Sequence, residues 1–261
     1  MLMSIKLTVL GSGPSETIPR KKCRCSTCLD SRKPKSKSRR TRSSIVLAWH
    51  KKNILIDCGP DFLEQIKREK IVTADAVLLT HGHADATGGL KKLTAADYAL
   101  KIFSEKQTLK YLKRVYGKLL PNRIIKPNRS LKIFGLKIVP FRVKHALREK
   151  TFLTLGFKIG PLVYASDVSS IPKSSEKYFK NAKVLFLDSA MWLGTKMAWH
   201  LSVERAIALA KKFHAKKLYL TQIGHNYPPH KIAQKEINSY CRKNKIKFSV
   251  ILAYDGLKIK I

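Results

Sequence analysis

The chain has 261 residues, 53 Lys and Arg against 17 Asp and Glu, a net charge of +36 and 44% hydrophobic residues. That apolar share is enough to bury a core and excludes wholesale disorder, so one domain spanning residues 1–261 is expected. No run approaches the roughly 18 apolar residues of a membrane span, and MLMSIKLTVLGSG lacks a small-residue cleavage site, so the expected location is the cytoplasm.

Ile5–Leu10 alternates and meets Gly11-Ser12-Gly13-Pro14, a strand entering a turn. From Arg20 to Arg42 eleven Lys or Arg stand against Asp30 alone, a charge run that fits either a nucleic-acid partner or a basic habit spread over the whole surface. A positive field also concentrates small anionic substrates. Three of the five cysteines, Cys23, Cys25 and Cys28, fall within this segment, whereas Cys58 and Cys241 read as small core residues. A tight cluster suits a reducing compartment and a metal better than a disulfide framework. Its three thiolates need a fourth ligand for a closed tetrahedral zinc site; free buried thiols are the alternative.

Ser44–Trp49 and Asn53–Asp57 read as a hairpin, Asp61–Lys70 has helical spacing, and Ala76–Leu79 is a short buried strand that delivers Thr80-His81-Gly82-His83. Ser104 with Gln107 matches a capping box that opens an amphipathic helix. Its apolar face is Leu109, Leu112, Val115, Tyr116 and Leu119, and its outside carries Lys106, Lys110, Lys113 and Arg114. Hairpins follow about Phe134-Gly135 and Gly160-Pro161, the second closed by Asp167. Val184–Leu187 is a strand ending at Asp188, Ser202 caps a helix running to Lys212, and Leu218–Leu220 leads to Thr221-Gln222-Ile223-Gly224-His225. A helix from about Lys231 to Lys243 and a last hairpin, Phe248–Ile261 turning at Asp255-Gly256, complete the chain. Two sheets covered by helices suit this order.

THGHADATGG, residues 80–89, carries the strongest chemical signal. Two imidazoles at i and i+2 in a loop leaving a strand turn to one ion, and the Asp85 carboxylate reaches a second ion or the attacking water. Gly88 and Gly89 allow a close chain approach or act as a hinge. Other polar residues end later strands: His145, Asp167 and Asp188.

THGHADATGG, Asp57 in ILIDCGP, His145 in VKHA, Asp167 in YASD, Asp188 in FLDS and LTQIGHN resemble the successive motifs of the metallo-β-lactamase superfamily. The likeness runs from GSGPSETIP to AYDGLKI and is to its phosphoribosyl cyclic phosphodiesterase branch, which includes coenzyme PQQ synthesis protein B and is related to the tRNA 3′-processing endonucleases. The resemblance implies an α/β fold, a four-layer αββα sandwich with its active site along one sheet edge. It implies that His81, His83 and His145 hold the first metal, that Asp167 bridges to a second, and that Asp85 binds that second ion and orients the water. It implies His225 as the fourth ligand of the cysteine site, hence one structural zinc within a basic insertion at about 20–42. His200 aligns with a histidine used near the scissile phosphate, the alternative being a capping or packing role. Asp57 and Asp188 are expected to orient ligands rather than bind metal.

Two positions depart from the pattern. Ala86 stands where a histidine normally follows the motif's aspartate, and Gln222 stands where a Leu-Thr-His segment supplies another. A second ion held by Asp85, Asp167 and at most the Gln222 amide oxygen lacks imidazoles and suits a hard cation such as Mn²⁺ or Mg²⁺. The active site is therefore expected to hold one Zn or Mn ion, with room for two. The expected function is a metal-dependent phosphodiesterase acting on a small anionic phosphate, such as a cyclic ribose phosphate, with Asp85 and His200 catalytic. The rival is a catalytically reduced relative that binds nucleic acid or another polyanion. Thioester or lactam hydrolysis also belongs to this fold.

Overall fold

In a computed structural model, residues 4–95, 100–117, 122–147, 150–195 and 198–261 are described. Strands β1 (Lys6–Gly11), β2 (Ser44–Trp49), β3 (Lys52–Ile56), β4 (Ala76–Leu78), β5 (Lys101–Ser104) and β6 (Asn122–Ile124) belong to one sheet. β7 (Leu131–Ile133), β8 (Leu136–Leu147), β9 (Lys150–Ile159), β10 (Leu162–Ala165), β11 (Val184–Asp188), β12 (Lys217–Thr221) and β13 (Ser249–Leu252) form a second. β14 (Lys258–Lys260) returns to the first, so each sheet has seven strands, in the orders β14-β1-β2-β3-β4-β5-β6 and β13-β12-β11-β10-β9-β8-β7. The helices are α1 (Ser26–Ser31), α2 (Phe62–Arg68), α3 (Ala84–Thr87), α4 (Leu90–Ala95), α5 (Lys106–Tyr116), α6 (Glu176–Phe179), α7 (Val203–Lys212) and α8 (His230–Lys243). Among the described residues, none is long and apolar enough to cross a membrane.

Period-two side-chain alternation divides the apolar residues into three layers. Ile54 and Ile56 of β3 meet Phe157, Tyr164 and Phe186 of the opposing sheet in the central layer. Leu55, between them, faces the other way, into a layer with Val77 of β4, Phe62 of α2 and Leu112 of α5. On the second sheet Leu185 and Leu187 turn outward to Ile207 of α7 and Ile237 of α8. Helix, sheet, sheet and helix therefore stack in the αββα order. The parallel runs β3-β4-β5-β6 and β10-β11-β12-β13 bring the carboxyl ends of β4, β10, β11 and β12 to the site-bearing edge.

Two sequence expectations fail. Phe248–Ile261 is not a hairpin: β13 pairs in parallel with β12, and β14 pairs antiparallel with β1. Asp255-Gly256 is where the chain passes between sheets, with Gly256 at φ 89°. Asp255 there accepts hydrogen bonds from the backbone N–H and hydroxyl of both Ser12 and Thr41. Nor does the capping box form. Ser104 ends β5, and Glu105, which occupies the N-cap position of α5, turns its carboxylate to Arg142 instead. Pairing with Ile124 of β6 keeps Ser104 in the sheet, so the helix starts one residue later than the box requires. Leu119, expected on the α5 apolar face, lies outside the described residues.

Candidate metal centre and catalytic pocket

β4 ends one residue before Leu79, and the chain then places Thr80 and the His81-Gly82-His83 turn under the sheet edge, with His83 leading into α3. Close backbone approach fixes α3: a Cβ on Gly59 would lie 2.2 Å from the Asp85 carbonyl oxygen, and one on Gly89 2.2 Å from that of Gly59. Close approach, not a hinge, is what Gly89 provides.

One ring nitrogen from each of His81, His83 and His145 lies within 4.8 Å of the others. His81 Nε2 and His83 Nδ1 are 2.9 Å apart. Zinc at about 2.0–2.1 Å from each nitrogen would separate tetrahedral ligands by about 3.3 Å, so the set fits such an ion with little adjustment. The surrounding bonds select the tautomers. His145 Nδ1 is 3.3 Å from the Trp199 carbonyl, which only accepts, so the ring proton sits there and Nε2 presents a lone pair. Thr80 Oγ1 gives its proton to Asp57 at 2.9 Å and accepts from His81 Nδ1 at 2.8 Å, which leaves His81 Nε2 bare. Burial, with His81 and His145 alongside, lowers the His83 pKa to about 4, and burial lowers that of His145, so both are unprotonated at neutral pH.

A cavity of about 860 Å³ opens at this cluster, lined among others by His83, Asp85, His145, Asp167, His200 and Gln222. Asp85 and Asp167 stand outside the 4.8 Å set. Burial disfavours both charges; His81, His145 and His200, with the Ser166 hydroxyl, nevertheless hold Asp167 at about 2, while the Asp167 charge adds to burial in raising Asp85. The Gln222 amide is not presented as an oxygen ligand. Its Nε2 donates to Asp167 Oδ1 at 2.9 Å, and Ser166 Oγ donates to the other oxygen at 2.7 Å, because a carboxylate accepts and cannot face another acceptor.

Asp188 is fully buried and accepts from the backbone N–H groups of Val168, Ala190 and Leu201 and from His200 Nδ1, the last at 2.6 Å. Burial opposes the imidazolium of His200, but Asp188, with Asp167 and Asp85 behind it, raises its pKa to about 9. His200 therefore carries a proton beside the cavity, its ring centroid 5.0 Å from that of His145.

The cysteine cluster is a second ligand set. Single atoms of Cys23, Cys25, Cys28 and His225 all lie within 4.8 Å of one another, with His225 Nδ1 3.5 Å from Cys23 Sγ and 3.7 Å from Cys25 Sγ. A tetrahedral ion about 2.3 Å from sulfur spaces its ligand atoms about 3.8 Å apart, so the donors fit zinc. Hydrogen bonds from Cys25 lower the Cys23 thiol to about 6, and burial raises Cys28 to about 11. His225 also lines the cavity, so the two sites share a wall. Arg42 and Trp199 line it as well, although nothing in the sequence separates Arg42 from its basic neighbours or marks Trp199.

The chain belongs to the β-lactamase superfamily, a group made up mainly of hydrolases: the profile of the beta-lactamase superfamily domain matches residues 52–223. Within it, the crystal structure of a new diphosphatase from the PhnP family is 30% identical with a TM-score of 0.85, covering 100% of this chain and 98% of that one. Zn²⁺-bound PqqB from Methylobacterium extorquens shares the fold at 20% identity and a TM-score of 0.79, over 98% of this chain and 100% of that one. An octanoyltransferase of Porphyromonas gingivalis is 27% identical over 270 residues; the match takes in 98% of this chain but only 53% of that protein, about half its length.

Proposed function

We propose that this protein is a metal-dependent phosphodiesterase acting on a small phosphodiester or diphosphate. The observation that carries the reading is the convergence of three lone-pair-bearing imidazoles at a cavity that also holds a protonated His200. The full-length likeness to a PhnP-family diphosphatase supports phosphorus rather than acyl chemistry. An ion held by His81, His83 and His145 would supply Lewis-acid polarisation of a phosphoryl oxygen and an acidified water. Asp85 accepts the proton of the attacking water, and His200, oriented by Asp188, donates from Nε2 to a phosphoryl or leaving oxygen. Asp167, held by Gln222 and Ser166, keeps a negative charge beside the imidazoles. With Gln222 engaged in this way, the reading is of one ion in the pocket and one at the cysteines.

The test is turnover of an aryl phosphodiester with added Zn²⁺ or Mn²⁺. His81→Ala abolishes it, and Asp188→Asn lowers kcat by about 10²-fold or more with metal content unchanged. Undiminished turnover in His81→Ala, or none in a metal-replete wild type, overturns the reading. In the second case the rival stands, a reduced relative with a binding role, to which Ala86 and the amide of Gln222 point.

A further inference from the structure

Two smaller cavities, about 470 and 300 Å³, lie between the chain at Lys33–Lys37 and α8, and share Lys37, His230 and Lys231. The larger is walled by Lys37, Lys231, Lys235 and Arg242 with neutral Gln234, Asn238 and His230, and no acid enters it. The smaller contains one acid, Asp30. Its carboxylate is already occupied by the hydroxyls of Ser36 and Ser38, at 2.9 and 2.7 Å, and by Lys33. Positions 231, 235, 238 and 242 share one helical face, and the 1.5 Å rise spreads Lys231 to Arg242 over about 16 Å.

His230 is a built part of this groove. The buried Arg40 guanidinium lies 3.2 Å from His230 Nδ1 and can only donate, so Nδ1 accepts and the ring proton sits on Nε2. Arg40 is itself fixed by Ser12 Oγ and the Ala253 carbonyl, and the His230 backbone N–H donates to Ser38 Oγ at 2.9 Å. Burial and the Arg40 charge keep the ring neutral, with a pKa of about 3. The larger cavity thus offers four cations with the N–H donors of His230 and Asn238, apart from the catalytic pocket, while the Gln234 amide is spent on Asn238 and the Val250 carbonyl.

We propose that this groove binds the phosphodiester backbone of a nucleic acid without regard to sequence. Phosphates take spaced Lys and Arg with neutral N–H donors, and such contacts carry no base readout. No apolar side chain lines the larger cavity, so the apolar anchor on which most protein partners rely finds no seat there. A membrane surface is flat and asks for an apolar row, whereas these walls are concave, and Ile232, the large exposed hydrophobic of α8, is not among the lining residues.

The test compares two triple variants of equal charge change, using a fluorescein-labelled mixed-sequence oligonucleotide and anisotropy across a salt series. One is Lys231→Gln, Lys235→Gln and Arg242→Gln in the groove. The other is Lys110→Gln, Lys113→Gln and Arg114→Gln on α5, an equally basic helix. The groove variant weakens binding at least tenfold and lowers the salt slope by about 2–3, from about 0.7–0.9 per lost phosphate contact, while the α5 variant stays within about twofold. His81→Ala binds as wild type does, so failure of the hydrolase reading leaves this result standing. Bound oligonucleotide also shields Lys231 and Lys235 from acetylation, a readout that needs no variant. Equal weakening in both variants means net charge alone. Absence of wild-type binding at about 0.1 M salt, or capture by phosphatidylserine vesicles in place of the oligonucleotide, likewise overturns the proposal.

Discussion

Replacing Asp255 with alanine removes the acceptor on which two distant segments converge. Its carboxylate, 8% exposed, takes the backbone N–H of Ser12 at 2.9 Å and of Thr41 at 2.8 Å, both their hydroxyls, and Arg68 at 3.4 Å. The hydroxyls keep other contacts: Thr41 Oγ1 can give its proton to the Leu10 carbonyl, and Ser12 Oγ, which still accepts from Arg40, can rotate its proton away. The two amides do not. At about 1–3 kcal/mol for each buried donor left without an acceptor, the sum is about 2–6 kcal/mol. Relief of burying a carboxylate offsets part of this, since burial raises the Asp255 pKa. The expected net loss is about 2–4 kcal/mol, a fall in Tm of roughly 5–15 °C at this chain length. Calorimetry at neutral pH reads it directly. Asp255→Asn keeps the shape and one acceptor oxygen, and should fall between wild type and alanine. A Tm within about 2 °C of wild type for Asp255→Ala would mean that the two amides had found other acceptors and that the carboxylate is not what holds them.

Gly82→Ala places a Cβ 2.9 Å from Tyr111 Cδ1 and so displaces the turn between His81 and His83; metal occupancy of the pocket should fall, and Tyr111→Ala in the same chain should restore it, as read by metal analysis. His230, whose folded pKa of about 3 lies below the ordinary value of 6.5, contributes nothing to pH dependence above pH 6.5, where it is neutral folded or unfolded. Below that, the unfolded chain takes up the proton first, so stability falls as the pH drops towards 3; His230→Gln should flatten the slope of Tm against pH relative to wild type. Cys25→Ser removes one donor of the cysteine set, and should lower the zinc content by one ion per chain and speed tryptic cleavage between Arg20 and Arg39, as followed by mass spectrometry.

Strand ends were readable because period-two runs such as Ile54–Ile56 and Val184–Asp188 stop at polar residues that the sheet edge then gathers. What sequence did not carry was competition from afar. Ser104 and Gln107 spell a cap, but pairing with Ile124 holds Ser104 in β5, and Arg142, 37 residues beyond Glu105, takes the carboxylate that stands at the N-cap instead. Asp255-Gly256 spells a hairpin turn, but the neighbours of β13 and β14 are β12 and β1, which no local pattern names. Gln222 was legible as a departure from a histidine, but not as a donor to Asp167, since that depends on where a residue 55 positions away points. The α8 groove was invisible for the same reason: Lys37 reads as one more charge in a basic run, and only folding sets it against Lys231.

The clasp at Asp255 also bears on the order in which the polypeptide assembles. β1 to β6 emerge from the ribosome long before residue 255, so the first sheet can pair its strands while Ser12 and Thr41 still lack their acceptor. During that interval the outer flank of β1, later covered by β14, stands open to any passing extended segment. Biosynthesis therefore leaves this margin of the first sheet uncovered until residue 255 and β14 are made, and slowing translation just upstream of codon 255 should raise the share of chains lost to aggregation.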